Sequence, residues 1–318
     1  MLGRAIAQEM TRTVTSYYEL KAFGRGDLDI TNKNAVFAKI TQFNPTVVIN
    51  ATGYTNVDGA ETEKKAAFAV NAVGVGYLVE ACAEIGAIFF HFSTDYIFDG
   101  IVQDGYMEDD TTHIGPLNTY GKSKLEGEFK IQNSKFKIQN KEWKRFIIRT
   151  SWLYGPGGKN FVDTLLTRAQ GGQTEFKVVN DQFGKPTYTK DLAQQVVWMV
   201  EHKDELASGV YHCANEITNY PPARRARAGE LRITNYGTPA GISWYEFACE
   251  IFKQAYKLGV IKSIPTVTPC ETAEFPRPAT RPQYSALINT KLAPICEWRE
   301  SLKKYIAYFQ TKMVYYRQ

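Results

Sequence analysis

Short apolar runs alternate with amphipathic stretches from residue 15 to about residue 200. The runs are rich in β-branched and aromatic residues, which predicts strands, and the stretches between them have helical spacing. The candidate strands are Glu19–Phe23, Thr46–Asn50, Ala87–Ser93, Arg145–Ser151 and Glu175–Val179. Three of them, at 46–50, 87–93 and 145–151, are apolar almost throughout, as strands buried on both faces are. This alternation predicts βα units around a parallel sheet.

The same pattern predicts the helices and a change of character towards the carboxyl terminus. The candidate helices are Asn32–Phe43 capped by Thr31, Ala60–Ile85 broken at Gly74 and Gly76, Ser243–Leu258, and Glu297–Met313. Residues 265–282 are punctuated by proline, which predicts a loop. We therefore expect an α/β domain over residues 1–150, on which 175–200 also packs. A smaller domain is expected over 151–318, with an insertion near 216–240.

Composition narrows the class of protein. The chain has 318 residues, of which 44% are hydrophobic and 22% charged, and this excludes a disordered, collagenous or coiled-coil protein. A net charge of +5 creates no basic field that would call for nucleic acid. Five scattered cysteines without a C-x-x-C pair and four unclustered histidines predict no metal site. With no apolar run near ~18 residues and no signal-peptide core, we expect a cytoplasmic protein that does not associate with membranes.

Candidate chemistry is concentrated after the predicted strands, where open parallel sheets bind their ligands. Tyr120 and Lys124 are spaced i and i+4, so they share one face of a helix. A neighbouring ammonium favours the phenolate and makes a phenol a usable acid–base group. Tyr17/Lys21 and Tyr308/Lys312 have the same spacing, but only Tyr120 follows a strand-end hydroxyl, that of Thr94.

Six segments, in order along the chain, resemble the dTDP-4-dehydrorhamnose reductase family of extended short-chain dehydrogenases/reductases. They are Ser93–Gly100, Tyr120–Glu126, Arg149–Gly155, Asn180–Thr187, Ser243–Phe247 and Arg281–Leu287. The resemblance implies a Rossmann-type doubly wound parallel sheet with a smaller α/β substrate-binding domain. It also implies NADPH- or NADH-dependent reduction of dTDP-4-dehydro-L-rhamnose to dTDP-L-rhamnose, a nucleotide sugar for cell-surface polysaccharides. A homodimer and Mg²⁺ are compatible with the resemblance, although the sequence offers no Mg²⁺ ligand cluster.

The resemblance also assigns roles to residues. Tyr120 is expected to donate a proton, Lys124 to lower its pKa and hold the nicotinamide ribose, and Thr94 to bind the ketone oxygen. The further cofactor-binding residues are Gly3, Arg25, Asp29, Ile30, Ala51, Thr52, Gly53 and Tyr54. The further substrate-binding residues are Asp95, Trp152, Asn160 and Arg281. Arg25 would meet a 2′-phosphate, or else be an exposed loop arginine; Trp152 would contact the sugar nucleotide, or else be a core residue.

The amino terminus departs from the family pattern. The family opens with a strand and a glycine-rich turn, whereas this sequence starts at Met1-Leu2-Gly3-Arg4, within the following helix, and only Gly3 matches the turn. Either the first strand and turn lie upstream of this sequence, which we expect, or a shortened protein binds its cofactor poorly. Two alternative functions also stay open: a non-catalytic subunit resembling the methionine adenosyltransferase regulatory subunit, and a nucleotide-sugar epimerase or dehydratase.

Overall fold

A computed structural model describes residues 1–14, 18–134, 137–138, 141–218 and 239–315. Its helices are α1 Leu2–Thr13, α2 Lys33–Phe43, α3 Gly59–Thr62, α4 Lys64–Phe68, α5 Gly74–Ile85, α6 Thr119–Gln132, α7 Phe161–Gln170, α8 Thr189–Glu201, α9 Trp244–Lys257 and α10 Trp298–Tyr315. A π-helical turn spans Ala69–Val73, and 3₁₀ turns span Asp95–Ile97 and Thr272–Glu274.

The strands fall into one larger sheet and several strand pairs. They are β1 Val47–Asn50, β2 Ile88–Thr94, β3 Lys137–Ile138, β4 Lys141–Glu142, β5 Arg145–Thr150, β6 Leu153–Tyr154, β7 Glu175–Val179, β8 Phe183–Gly184, β9 Thr187–Tyr188, β10 Gly209–His212, β11 Asn215–Glu216, β12 Ile242–Ser243, β13 Thr266–Cys270 and β14 Ile295–Glu297. The larger sheet has the order β1-β2-β5-β10, and all its pairs are parallel.

Helices cover both faces of this sheet, as a doubly wound fold requires. One face packs Phe89 and Ile147 against α2, α5 and α6. The other packs Phe90 and Phe146 against α1 and α8. The predicted fold class is confirmed.

A separate apolar cluster lies towards the carboxyl terminus. It joins α7, α9, α10 and β7, with Phe247 and Trp298 among its buried members. Strand β7 therefore packs in this cluster, whereas α8, the other element within 175–200, packs on the larger sheet. Most of the insertion expected near 216–240 lies outside the described residues.

Three local predictions were wrong. Residues Glu19–Phe23 form no strand, and no strand among the described residues pairs with the outer edge of β1, so this apolar run has no ladder to join. Asn32, not Thr31, caps α2 by accepting from the Ala35 amide at 3.1 Å, because the Thr31 hydroxyl donates to Asp29. Residues 266–270, predicted as a loop, form β13, whose edge position tolerates Pro269.

The long apolar helix pattern at 60–85 is interrupted differently from the prediction. Its breaks lie at Glu63 and at the π-helical turn 69–73, whereas Gly74 and Gly76 lie within α5. The consecutive helical segments from Lys64 to Ile85 have 22 residues and contain an 18-residue window with a mean hydropathy of 1.5, so by length and composition alone they could cross a membrane. This span exceeds the apolar length expected from the sequence, but 56% of that window is buried within the fold, as in a core helix.

Candidate active site

The carboxyl ends of β1, β2 and β5 bring the candidate residues to one edge of the sheet. Asn50 pairs with His91, and Thr94 pairs with Thr150, in adjacent parallel strands. Thr94 then caps a 3₁₀ turn, its hydroxyl accepting from the Tyr96 amide at 3.2 Å. The strand-end hydroxyl expected from the sequence therefore lies at this edge.

Helix α6 presents Tyr120 in its first turn because that turn is capped by two other segments. The Asn118 side chain accepts from the Gly121 amide at 2.8 Å and donates to the Thr280 carbonyl at 2.7 Å. Glu61 accepts from both the amide and the hydroxyl of Thr119, at 2.7 and 2.9 Å. These bonds satisfy helix N–H groups that would otherwise lack partners. They fix the residue at which α6 begins and thereby the position of Tyr120 in its first turn.

Two glycines let α6 approach its neighbours closely. A Cβ on Gly121 would be 2.1 Å from the Tyr96 carbonyl oxygen, and one on Gly127 would be 2.2 Å from the Asn71 carbonyl oxygen. Both obstacles are backbone atoms, which cannot turn aside as a side chain can. The position of α6 over the edge of β2 therefore depends on these two glycines.

We expect Gly121→Ala to displace the first turn of α6. Overpacking against backbone should lower the free energy of unfolding by about 1–3 kcal/mol and reduce turnover, both measured on the purified variant by urea titration and steady-state assay. The matched control is Gly76→Ala in α5, where a Cβ would meet only Lys130 at 3.8 Å. That change should stabilise slightly, since alanine favours helix by about 0.5–1 kcal/mol. Equal effects of the two variants would contradict the close-approach argument.

Tyr120 and Thr94 are hydrogen-bonded to each other in the site. The Thr94 hydroxyl also lies 3.0 Å from Asp95 Oδ1, to which it can donate its single proton. Burial raises the pKa of Tyr120 to about 12, and the bond with Thr94 acts in the opposite direction. Burial also raises the pKa of Asp95 to about 7, against hydrogen bonds from Ser285 and Thr94. The phenol is therefore held protonated at neutral pH.

Lys124 lies one helical turn after Tyr120 in α6. Its Nζ donates to the Phe92 carbonyl at 2.5 Å and lies 3.5 Å from His91 Nε2. Burial lowers the pKa of Lys124 to about 8, and the charge of Glu128 acts in the opposite direction. The sequence predicted that this ammonium would lower the pKa of Tyr120. Here the ammonium bonds to β2, and burial raises the pKa of the phenol.

The segment after β1 is clamped to α6 by a residue that the sequence analysis missed. Asn71 accepts from the Tyr54 amide at 2.8 Å, and its Nδ2 donates to the Tyr54 carbonyl at 3.0 Å and to Ser123 Oγ at 2.9 Å. The π-helical turn that carries Asn71 widens the helix at this point, as such turns often do at functional sites. The available signal was a single amide in an apolar helical run.

The predicted cofactor residues after β1 lie together. The Thr52 amide and hydroxyl donate to Asn50 Oδ1 at 3.1 and 2.6 Å. A Cβ on Gly53 would lie 4.0 Å from Lys124 Nζ, and one on Gly3 would lie 3.4 Å from Ala51 Cβ. The first turn of α1, the end of β1 and Lys124 therefore border one region.

The other three predicted cofactor residues differ in their surroundings. Ile30 is buried against Gly74, where a Cβ would meet its side chain at 2.9 Å, and its proposed contact with the adenine stays a prediction. Asp29 is exposed and accepts from Thr31, and the charge of Arg25 contributes to lowering its pKa. Arg25 is exposed in the same loop.

Two of the predicted substrate residues are held by the fold. Asn160 caps α7, and its Nδ2 donates to the Gly155 carbonyl at 3.1 Å and to the Tyr305 hydroxyl at 3.2 Å. This near-complete use of its polar atoms argues for a structural role. Trp152 has a left-handed backbone, φ 46°, and its partly exposed ring stacks on Trp244 at 3.5 Å. Trp244 is a second residue that the sequence analysis did not identify.

Arg281 reaches the site through Tyr96. Its Nη1 donates to Asp58 Oδ1 at 2.5 Å and to the Ala279 carbonyl at 2.6 Å, and its side chain also hydrogen-bonds Tyr96. The ring of Tyr96 meets that of Tyr120 edge-on, 5.9 Å between centroids. Arg281 is thus beside the catalytic candidates, with its charge balanced by Asp58. In the part of the chain that the structure describes, no three His, Cys, Asp or Glu side chains are grouped as metal ligands.

The parallel sheet covered on both faces, with a Tyr-x-x-x-Lys helix over its carboxyl edge, defines an extended short-chain dehydrogenase/reductase fold. The chain belongs to the family described as the RmlD substrate binding domain, whose model matches residues 1–311. A structure titled as Thermus thermophilus UDP-glucose 4-epimerase in complex with NAD, 18% identical with a TM-score of 0.68, shares the fold alone.

Closer relatives carry reductase names. A dTDP-4-dehydrorhamnose reductase of Aggregatibacter actinomycetemcomitans is 37% identical over 96% of this chain and 95% of its own. A crystal structure of a dTDP-4-dehydrorhamnose reductase from Clostridium acetobutylicum is 36% identical, with a TM-score of 0.79 over 97% of this chain and 96% of its own. The Bacillus anthracis reductase, solved in complex with NADP, is 30% identical with a TM-score of 0.77 over 94% of each chain.

Proposed function

We propose that this chain reduces dTDP-4-dehydro-L-rhamnose to dTDP-L-rhamnose with NADPH or NADH. The observation that carries the proposal is the Tyr120–Thr94 pair with Lys124 one helical turn later, in a chain whose relatives are named dTDP-4-dehydrorhamnose reductases. Those names favour a reductase over a regulatory subunit, an epimerase or a dehydratase. The exposed Arg25 supports NADPH, since a guanidinium suits a 2′-phosphate.

At two places, Gly53 and the first turn of α1, the residues of this chain fit a bound nicotinamide cofactor. A Cβ on Gly53 would lie 3.5 Å from Asn71 Oδ1 and 4.0 Å from Lys124 Nζ, so any side chain there would fill space beside the lysine. The first turn of α1 has no side-chain cap, which leaves its N–H groups for a phosphate. Gly3, Ala51, Thr52, Gly53, Tyr54 and Lys124 would hold the group, with Asp29 nearer the adenine. When bound, NADPH supplies the hydride.

This chain's own residues supply the proton and the electrostatics. Tyr120 gives its hydroxyl proton to the ketone oxygen as the carbonyl becomes an alcohol. Thr94 donates a second hydrogen bond to that oxygen, which stabilises the negative charge that develops there. The charge of Lys124 favours the phenolate left behind and so helps the proton to leave.

On the substrate side, Asp95 and Trp152 are proposed to contact the sugar. A diphosphate would compete with Asp58 for the guanidinium of Arg281, because both are anions that accept bidentate hydrogen bonds. Residues 1–150 are proposed as the cofactor-binding domain and 151–318 as mainly the substrate-binding domain. Assembly as a homodimer and a cytoplasmic location stay predictions.

We expect the protein to consume NADPH only when dTDP-4-dehydro-L-rhamnose is supplied, measured as loss of absorbance at the reduced-nicotinamide band. The matched control is dTDP-L-rhamnose, which has a hydroxyl in place of the ketone and should give no loss. Absence of NADPH consumption by a folded chain that binds the keto sugar would refute the proposal.

A further inference from the structure

A buried row of polar side chains leads from the end of β1 to Lys124. Asn50 Nδ2 lies 3.0 Å from His91 Nδ1, and His91 Nε2 lies 3.5 Å from Lys124 Nζ. Asn50 is 3%, His91 0% and Lys124 5% exposed, so solvent does not reach these contacts. The proton positions along this row therefore have to satisfy the protein's own donors and acceptors.

The orientation of Asn50 decides the tautomer of His91. The Thr52 amide can only donate, and it lies 3.1 Å from Asn50 Oδ1, so that atom is the oxygen. Asn50 Nδ2 must then donate to His91 Nδ1, which has to be an acceptor. Burial, with the charge of Lys124 adding to it, holds the pKa of His91 well below its usual value, so the ring is neutral. A neutral ring that accepts at Nδ1 carries its proton on Nε2.

The Nε2–H bond therefore faces Lys124. An ammonium has three protons and no lone pair, whereas a neutral amine can accept from an N–H donor. One of the lysine's bonds goes to the Phe92 carbonyl at 2.5 Å. Towards His91, the row favours the uncharged amine over the ammonium.

The other polar and charged groups near Lys124 come from α6, from the residues that follow β2 and from the π-helical turn. Glu128, four residues on in α6, favours the ammonium, but it is bound in two places by Arg149 of β5, at 3.0 and 2.8 Å. Asp95, after β2, faces Tyr120, and the π-helical turn contributes the uncharged Asn71. His91 is thus the titratable group of β2 in contact with the lysine nitrogen.

We propose that His91 is a positioning residue for Lys124: fixed as the Nε2–H tautomer by Asn50, it weakens the hold of Lys124 on its proton. The role in turnover rests on the proposed function, because the charge of Lys124 then sets the upper pH at which the site binds cofactor and reacts. The lysine exchanges its proton near working pH, consistent with its pKa of about 8.

The first test is ¹⁵N NMR of the histidine-labelled full chain at pH 7, with the His91 signals assigned by their loss in His91→Phe. We expect protonated Nε2 and unprotonated Nδ1. A ring protonated at Nδ1, or at both nitrogens, would overturn the proposal. This measurement needs no catalysis, so it is separate from the fate of the proposed function.

The second test reverses the tautomer. In Asn50→Asp the carboxylate accepts from His91 Nδ1–H, so Nε2 becomes an acceptor and the titration of Lys124 should move up by about one pH unit or more. The titration is followed by ¹³C NMR of lysine labelled at Cε, assigned with Lys124→Arg. The added charge also raises the pKa of Lys124, so the same change is made in His91→Phe. A clearly smaller shift without the imidazole supports the proposal, and an equal shift assigns the effect to charge alone and overturns it.

The pH dependence of activity provides a third test. In an active chain, the upper limb of the pH profile of kcat/KM should move with the lysine titration in Asn50→Asp, while the KM for the keto sugar stays unchanged. A limb that stays in place while the lysine titration moves would overturn the role in turnover. A chain with the expected tautomer but no reductase activity would refute the proposed function and still support the assignment of His91.

Discussion

Tyr120→Phe is expected to lower kcat by about a thousand-fold while leaving the KM for the keto sugar within a few-fold. The change removes one oxygen, that of the proposed proton donor, and general acid catalysis contributes about 10²–10⁴-fold. Thr94 can donate a hydrogen bond but cannot replace the proton donor, because an aliphatic hydroxyl is a much weaker acid than a phenol. The measurement is steady-state NADPH oxidation over a range of keto-sugar concentrations.

The matched control is Tyr308→Phe, which removes the same atom from the other end of the chain. Tyr308 has the same four-residue spacing to a lysine, Lys312, but is exposed on α10. That variant should retain wild-type turnover. Near-normal turnover in Tyr120→Phe, with unchanged unfolding, would remove Tyr120 from its assigned role.

Glu128→Gln is expected to give the largest loss of stability, about 3–5 kcal/mol. Glu128 is fully buried, and Arg149 holds both of its oxygens, at 3.0 and 2.8 Å. Replacing the carboxylate with an amide leaves the guanidinium charge buried without a counter-ion. His212, 3.5 Å from the same guanidinium, is kept neutral because burial holds its pKa well below its usual value, so it cannot compensate.

The free energy of unfolding would be measured by urea titration with the slope compared between variants. The control is Glu80→Gln, which breaks an ion pair of similar length, 2.7 Å to Lys33, on the surface. Water screens that pair, so the loss should be much smaller than in Glu128→Gln. Comparable losses in the two variants would show that the buried pair contributes no more than a solvated one.

The sheet could be predicted from sequence because its strands are buried on both faces. Val47–Asn50, Ile88–Thr94 and Arg145–Thr150 lie within a residue of their predicted limits. Glu19–Phe23 alternates charged and apolar residues, which also suggested a strand, but a strand requires a neighbour as well as a composition, and local sequence does not report the neighbour. The π-helical turn at Ala69–Val73 contains Asn71, whose bonds reach the distant Tyr54, and contacts of this kind cannot be predicted from periodicity.

The candidate site could be predicted where its residues are related by their spacing along a single helix or strand. Tyr120 and Lys124 follow from helical geometry, and Thr94 from its place at a strand end. Asn71 and Trp244 could not be found in this way, because each acts through a contact with a distant segment. The direction of the pKa of Tyr120 was also beyond the sequence, since it depends on how deeply the phenol is buried.

Tyr120, Lys124 and Glu128 follow one another at intervals of four along α6, so a single stripe of this helix contains the proposed proton donor, its proposed cation and the buried partner of Arg149. Each residue in a helix advances by about 100°. One residue inserted or deleted between 120 and 128 would turn the reacting end away from the anchored end, although every side chain remained present. The length of this segment is therefore as constrained as its composition, and natural variants should differ there by substitution and not by length.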